Sequence, residues 1–78
     1  MNSRVSIDPT ICHGKPVIKG TRVLVANILA SLAAGESTQS ILDNYPNIIE
    51  LDIRAALDFA GKLSQFDSHP IELTGSQS

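Results

Sequence analysis

Two pairs of neighbouring residues near the N-terminus carry side chains that could do chemistry. Gly14 and Lys15 stand in the order found in a phosphate-binding loop, and Cys12 and His13 offer a thiol and an imidazole. A phosphate-binding loop also needs a glycine five residues before the Gly-Lys pair and a Ser or Thr after the lysine. No glycine stands at that distance from Gly14, and Pro16 follows Lys15. The spacing therefore predicts a plain turn and no nucleotide site.

The Cys12-His13 pair is equally poor as a metal site or a catalytic pair. Side chains of adjacent residues diverge in an extended chain, and only His69 and a few carboxylates could complete a metal shell. A Cys–His nucleophile needs its base within hydrogen-bond reach and a third group to orient that base. We therefore expect a structural thiol beside a solvated histidine, no metal or other cofactor, no catalytic residue and no enzymatic activity.

Basic side chains near the N-terminus could instead contact phosphates. Lys15, Lys19 and Arg22 lie within eight residues, and residues 1–35 carry a net charge of +3 while residues 36–78 carry −5. Nucleic-acid binders usually show a stronger basic excess than this chain, whose net charge is −2. The three cations could contact DNA, or could protect an exposed edge strand from aggregation. The residues alone leave both interpretations open.

The elements that must position these cations begin with a small β element. Residues 4–7 alternate polar and apolar side chains, and residues 16–25 are rich in Val, Ile and Thr, so both segments predict short strands. Asp8-Pro9 and His13-Gly14 supply turns between the strands, and Gly20 predicts a second bend or bulge.

After the β element the spacing of the apolar residues changes to that of an α-helix, which predicts two helices. An amphipathic stripe defines a first helix that ends at Gly35, formed by Val25, Ile28, Leu29 and Leu32. Ser37 or Thr38 can cap a short second helix that buries Ile41 and Leu42 and stops before Pro46.

A third and longest helix follows, with Asn47 and Glu50 resembling a capping box. Its predicted inward face consists of apolar residues at helical spacing: Ile49, Ile53, Ala56, Leu57, Ala60 and Leu63. The predicted outward face carries Glu50, Arg54 and Asp58, with Asp52 as a further solvated residue, and Asp58 and Lys62 form a favourable i, i+4 pair. Because that face is more acidic than basic, reading of a DNA groove by this helix alone is disfavoured.

Composition favours an intracellular domain that does not enter a membrane. The lone cysteine cannot form an intramolecular disulfide, and no apolar leader follows Met1. The longest nearly uncharged stretch, residues 23–35, is too short for the roughly 20 residues that cross a bilayer. We expect a cytoplasmic chain with a folded domain over residues 1–63 and a polar, flexible tail over residues 64–78.

A long segment of the chain resembles the DUF433 family, named for its unknown function. The specific part is the Gly-Lys-Pro run at residues 14–16 followed by the Gly-Thr-Arg run at residues 20–22, and the resemblance covers about residues 5–62. It implies a helix-turn-helix domain with an N-terminal β element. It also implies an antitoxin that is paired with a PIN-like ribonuclease toxin and represses its own promoter. Where the family often has a Thr to cap the third helix, this chain has Ile49, so we expect the cap to shift to Asn47.

These observations predict a mainly α fold with a small N-terminal β element, arranged as a three-helix, helix-turn-helix domain of homeodomain-like or winged-helix-like type. The leading hypothesis is an antitoxin-like homodimer whose tail binds the toxin through Phe66, Asp67, Ile71, Glu72 and Leu73. The alternative is a DNA-binding transcriptional regulator without a toxin partner. In either case Lys15, Lys19, Arg22 and Arg54 are the candidate contacts to promoter DNA.

Overall fold

A computed structural model of the chain describes residues 3–67, and for residues 64–67 the backbone alone. Its elements are two short strands followed by three helices: β1 (Val5–Ser6), β2 (Val17–Ile18), α1 (Val25–Ala33), α2 (Thr38–Asn44) and α3 (Glu50–Asp67). A 3₁₀ turn over Cys12–Gly14 lies between the strands. The predicted class, three helices with a small N-terminal β element, is confirmed.

The two strands form a small antiparallel sheet. Val5 pairs with Ile18, and Ser6 pairs with Val17. Val17 also forms an isolated antiparallel bridge with Leu24. The predicted second strand over residues 16–25 is therefore a strand, a turn and a short returning segment. The turn occurs because Gly20 takes a φ of +82°, which reverses the chain.

The ends of α1 and α2 are capped largely as the sequence predicts. Gly35, just beyond α1, takes a φ of +88°, the left-handed conformation with which glycine commonly ends a helix. The hydroxyl of Ser37 accepts a hydrogen bond of 3.1 Å from the backbone N–H of Ser40 at the start of α2. At the start of α1, the carbonyl of Pro16 accepts from the N–H of Val25 at 3.0 Å. The β element thus supplies a partner for an N–H that the helix itself cannot satisfy.

The core lies where the three helices meet the sheet. Ile28 of α1, Ile41 of α2 and Ala56 of α3 are fully buried. Val5 and Ile18 close the core from the sheet side. None of the helices within residues 3–67 is long and apolar enough to span a membrane.

The predicted inward face of α3 is correct for Ile53 and Ala56 but wrong for three leucine and isoleucine side chains. Ile49, Leu57 and Leu63 are 52%, 50% and 50% exposed. Ile49 precedes the helix, and its neighbour Ile48 occupies the core instead. Leu57 lies about 100° around the helix from Ala56. Leu63 lies one turn beyond Phe59, which is partly buried against the core.

Candidate functional site

The segment that carries the basic residues begins with a tight turn. Cys12, His13 and Gly14 all have positive φ, at 51°, 58° and 79°. Each non-glycine residue held in this conformation costs on the order of 1–3 kcal/mol, so the surrounding contacts must hold it. The N–H of Gly14 donates to the carbonyl of Ile11 at 3.0 Å, and the N–H of Lys15 donates to the carbonyl of Cys12 at 3.2 Å. These bonds fix the backbone from which Lys15 projects.

Asp8 anchors the start of the same segment. Its carboxylate accepts one hydrogen bond of 2.7 Å from the hydroxyl of Thr10 and one of 2.8 Å from the backbone N–H of Thr10. Both bonds favour the ionised form and hold the pKa of Asp8 below its usual value, with the hydroxyl bond as the larger cause. The N–H of Ile11 closes this turn on the carbonyl of Asp8 at 2.9 Å.

The Gly-Thr-Arg run forms a second turn, closed by Ile18 and Val23. The N–H of Ile18 donates to the carbonyl of Val23 at 2.9 Å. The hydroxyl of Thr21 bridges the turn, because it donates to the carbonyl of Ile18 at 2.7 Å and accepts from the N–H of Val23 at 3.0 Å. Gly20 supplies the positive φ that the reversal needs. This geometry explains why a glycine and a threonine stand beside Lys19 and Arg22.

We call residues 15–22 the basic loop. Lys15, Lys19 and Arg22 are exposed, and within residues 3–67 none of them forms an ion pair with another side chain. Lys19 and Arg22 lie on the same turn, which follows β2. Lys15 precedes β2, and the four extended residues from Lys15 to Lys19 span about 13 Å. The loop can therefore offer cations to an acidic partner without first breaking an ion pair in the described part of the chain.

Arg54, the fourth cation predicted to contact DNA, lies on another element. It is exposed on α3, and its guanidinium Nη2 lies 4.0 Å from Oε2 of Glu50, one turn earlier. The predicted pair of Lys62 with Asp58 is also present, at 3.5 Å. The exposed surface of α3 therefore mixes both charges, whereas the basic loop presents cations alone.

A shallow cleft of about 560 Å³ lies beside the basic loop. Its lining combines apolar side chains with polar and charged ones: Ser6, Ile11, Val17, Gly20, Thr21, Arg22 and Asn47. Neither Ser6 nor Asn47 was predicted to belong to a binding surface. They come from β1 and from the segment between α2 and α3, so only the folded arrangement brings them to Arg22.

Asp52 supports the start of α3, and here two predictions were wrong. Its Oδ2 accepts a hydrogen bond of 2.9 Å from the N–H of Ile49, so Asp52 caps the helix where Asn47 and Glu50 were predicted to do so. Its Oδ1 accepts a hydrogen bond of 3.0 Å from Arg4. Asp52 is therefore buried, with 6% of its surface exposed, and is not a solvated residue of the outward face.

The remaining candidate residues are placed as follows. The thiol of Cys12 lies 3.8 Å from the carbonyl oxygen of Arg22, and His13 is exposed. Within residues 3–67, no group of three or more His, Cys, Asp or Glu side chains could hold a metal ion. Phe66 and Asp67 end the backbone of α3, which continues four residues beyond Leu63, but their side chains lie outside the described part. Ile71, Glu72 and Leu73 lie wholly outside it.

Comparison with known proteins adds two sequence relatives. The chain is 41% identical over 56 residues to "Uncharacterized protein y4eO" of Sinorhizobium fredii (strain NBRC 101917 / NGR234). The aligned segment covers 72% of this chain and 25% of that protein. It is 37% identical over 57 residues to "Putative antitoxin VapB45" of Mycobacterium tuberculosis (strain ATCC 25618 / H37Rv), covering 73% of this chain and 23% of that protein. The chain thus spans about a quarter of the length of these relatives.

A solved structure and a family model agree with each other. The crystal structure of a DUF433 member from Anabaena variabilis ATCC 29413 is similar with a TM-score of 0.74 and 28% identity, over 85% of this chain and 66% of that one. The model of the family described as "Protein of unknown function (DUF433)" matches residues 5–60. Since this match contains both strands and most of α3, the chain belongs to the DUF433 family.

Proposed function

We propose that this chain is an antitoxin-like binding protein that neutralises a PIN-like ribonuclease toxin. The observation that carries the proposal is the 37% identity to "Putative antitoxin VapB45" over 73% of the chain. The family membership and that relative also favour a non-enzymatic role. Because the chain spans only a quarter of that relative, the toxin partner and its identity belong to the proposal.

The basic loop gives the proposal one physical route to inhibition. A metal-dependent ribonuclease holds its cations with carboxylates, because hard divalent metals prefer oxygen ligands. Lys15, Lys19 and Arg22 are exposed and carry no ion pair within residues 3–67. They can therefore pair with those carboxylates, and electrostatic complementarity of this kind speeds association and selects the partner. The cleft beside Arg22 offers apolar contact next to the charge.

The C-terminal segment gives a second route, carried by composition alone. Phe66, Ile71 and Leu73 are apolar anchors, and Asp67 and Glu72 are carboxylates that could enter a basic RNA channel. Polar segments with scattered apolar residues often order on a partner. The proposal predicts that at least one of the two segments, loop or tail, is required for inhibition.

Repression of the chain's own promoter is the second candidate function. The exposure of Lys15, Lys19 and Arg22 supports it, since exposed cations can contact phosphates. The mixed charge around Arg54 and Glu50 on α3 makes direct base reading by that helix unfavourable. A gel shift on the promoter DNA, repeated from low to high salt, tests this function. Binding that weakens steeply with salt and with Lys19→Glu supports it, and no shift at low salt contradicts it.

The main test is capture from the native cells followed by an RNA cleavage assay. We would compare the tagged full chain, a chain truncated after Leu63, the loop variant K19E/R22E and the tail variant F66A/L73A. A matched control, T74A/Q77A, changes two polar tail residues instead. We expect the full chain and the control to capture a ribonuclease and suppress its RNA cleavage, and at least one of the other three proteins to lose both. Equal capture and suppression by all five proteins would contradict the proposed contacts.

A further inference from the structure

The outer face of the small sheet forms part of the cleft beside Arg22. Val5 and Ile18, which pair in the sheet, belong to the hydrophobic core. Side chains alternate between the two faces of a strand, so the other pair, Ser6 and Val17, lies on the face opposite the core. Both of these residues line the cleft. The cleft is therefore a surface depression separate from the core.

The polar part of the cleft lining offers hydrogen-bond donors that have no partner in the described part of the chain. The hydroxyl of Ser6 and the side-chain amide of Asn47 form no hydrogen bond within residues 3–67. The backbone N–H groups of Gly20 and Arg22 donate to no oxygen there either. The hydroxyl of Thr21 differs, because it already donates within its own turn. An anion can therefore be bound in the cleft without the loss of a hydrogen bond from these donors.

The charge of the cleft comes from Arg22, the one charged side chain among the described residues that line it. A single guanidinium can bind one carboxylate through two parallel hydrogen bonds. A nucleic-acid strand presents a row of phosphates and needs several cations along its path. Lys15 and Lys19 do not line the cleft, and none of the described lining residues is aromatic, so a base has no ring to stack on. The lining thus favours a carboxylate over a nucleic acid.

We propose that the cleft binds an acidic segment of a partner protein, in which one Glu or Asp side chain pairs with Arg22. Ser6 and Asn47 donate further hydrogen bonds to that carboxylate, and an aliphatic neighbour in the segment packs on Ile11, a partly exposed residue of the same lining. The volume of about 560 Å³ is within the range of sites that bind small ligands. Under the proposed function, on which this choice of partner rests, the toxin supplies the segment.

The test is an NMR titration of the isotope-labelled full chain with short peptides at low salt. The probe is Gly-Leu-Glu-Leu-Gly with both ends capped, and capped Gly-Leu-Gln-Leu-Gly differs from it only in lacking the carboxylate. Arg22→Gln removes the cation from the cleft, and the matched control Lys15→Gln removes a cation outside it. Circular dichroism confirms that each variant is folded. Oligothymidylate, titrated in the same way, tests whether a nucleic acid occupies the cleft instead.

We expect the Glu peptide to shift the N–H signals of Ser6, Gly20 and Asn47. Its affinity should fall at least tenfold in Arg22→Gln, because a hydrogen bond between charged groups contributes about that factor. The Gln peptide should bind the wild-type chain with a similar loss. Lys15→Gln should change the affinity for the Glu peptide by less than about twofold, since exposed charges outside the site are screened.

Absence of these shifts at millimolar Glu peptide overturns the proposal. Equal binding of the two peptides, or an equal loss in the two variants, overturns it as well, because the attraction is then not specific to the cleft. Tighter binding of oligothymidylate with shifts at the same residues overturns it in favour of nucleic acid.

Failure of this site and failure of the proposed function give different results. A captured nuclease that Arg22→Gln inhibits as strongly as the wild-type chain does leaves the antitoxin function standing and contradicts the site alone. Selective binding of the Glu peptide without inhibition of the nuclease supports the site and contradicts the antitoxin function.

Discussion

Arg4 donates a hydrogen bond of 3.0 Å to the carboxylate of Asp52, a residue 48 positions later in the chain. The other oxygen of that carboxylate accepts from the N–H of Ile49 at the start of α3. One buried side chain therefore fastens the N-terminal β element to the longest helix and caps that helix.

Replacement of Asp52 by alanine should destabilise the domain by about 1–3 kcal/mol, because it removes both the cap and a charged partner of Arg4. Asp52→Asn should cost less, since an amide oxygen can still accept from the N–H of Ile49. Urea unfolding followed by circular dichroism measures both. A double-mutant cycle with Arg4→Ala isolates the ion pair. Equal stabilities for D52A and wild type would contradict the assigned role.

Gly20 and Gly61 should respond to alanine in opposite directions. A Cβ added at either glycine would meet no atom within 4 Å, so steric contact does not distinguish the two positions. Gly20 has a φ of +82°, which alanine adopts only with strain, and G20A should destabilise the domain by roughly 1 kcal/mol. Gly61 lies in a helix, and G61A should stabilise it by about 0.5–1 kcal/mol. Thermal unfolding of both variants checks the sign, and two shifts of the same sign would contradict the prediction.

The hydroxyl of Thr21 should matter more than its methyl group. Thr21→Val keeps the shape but removes the bridge between Ile18 and Val23, with an expected loss of about 1–2 kcal/mol. Thr21→Ser keeps the hydroxyl and should lose less. Hydrogen exchange at the N–H of Val23 should accelerate in T21V and stay slower in T21S. Equal exchange rates in the two variants would show that the hydroxyl does not hold the turn.

Asp8 should make the turn before Cys12 sensitive to acid. Its pKa in the folded state lies below the unfolded value, first because of the hydroxyl of Thr10 and then because of the backbone N–H of Thr10. The stabilising contribution is therefore fully present above the unfolded pKa of about 3.9 and is lost as the pH falls through the lower folded pKa. Carboxyl NMR titration should show the pKa of Asp8 rising toward its usual value in Thr10→Ala. An unchanged titration would contradict this assignment.

Local signals predicted the parts of the fold that depend on nearby residues. The stripe that includes Ile28 predicted α1, while Gly35 and Ser37 marked its end and the start of α2, since caps act over three or four residues. The start of α3 was missed although its cap is also local, because the carboxylate of Asp52 accepts from the N–H of Ile49 three residues earlier. The sequence gives no sign of the second bond of Asp52, which comes from Arg4 across 48 residues.

The candidate site was predicted in composition but not in geometry. Lys19 and Arg22 were recognised as cations, yet their placement on one turn depends on the φ of Gly20 and the bridge formed by Thr21. The exposure of Leu57 was missed because helical spacing alone does not fix which part of a broad apolar stripe meets the core. The cleft residue Asn47 was missed because it approaches Arg22 only after the helices pack.

The most direct test of the antitoxin proposal is inhibition of the captured ribonuclease in a purified system. The nuclease, freed of this chain, would cleave a fluorescent single-stranded RNA while the full chain is titrated in at fixed nuclease concentration. We predict that cleavage falls to background near equimolar chain and that the variant lacking the required loop or tail contacts needs a large excess. Cleavage that continues unchanged at a tenfold excess of the full chain would contradict the proposed function.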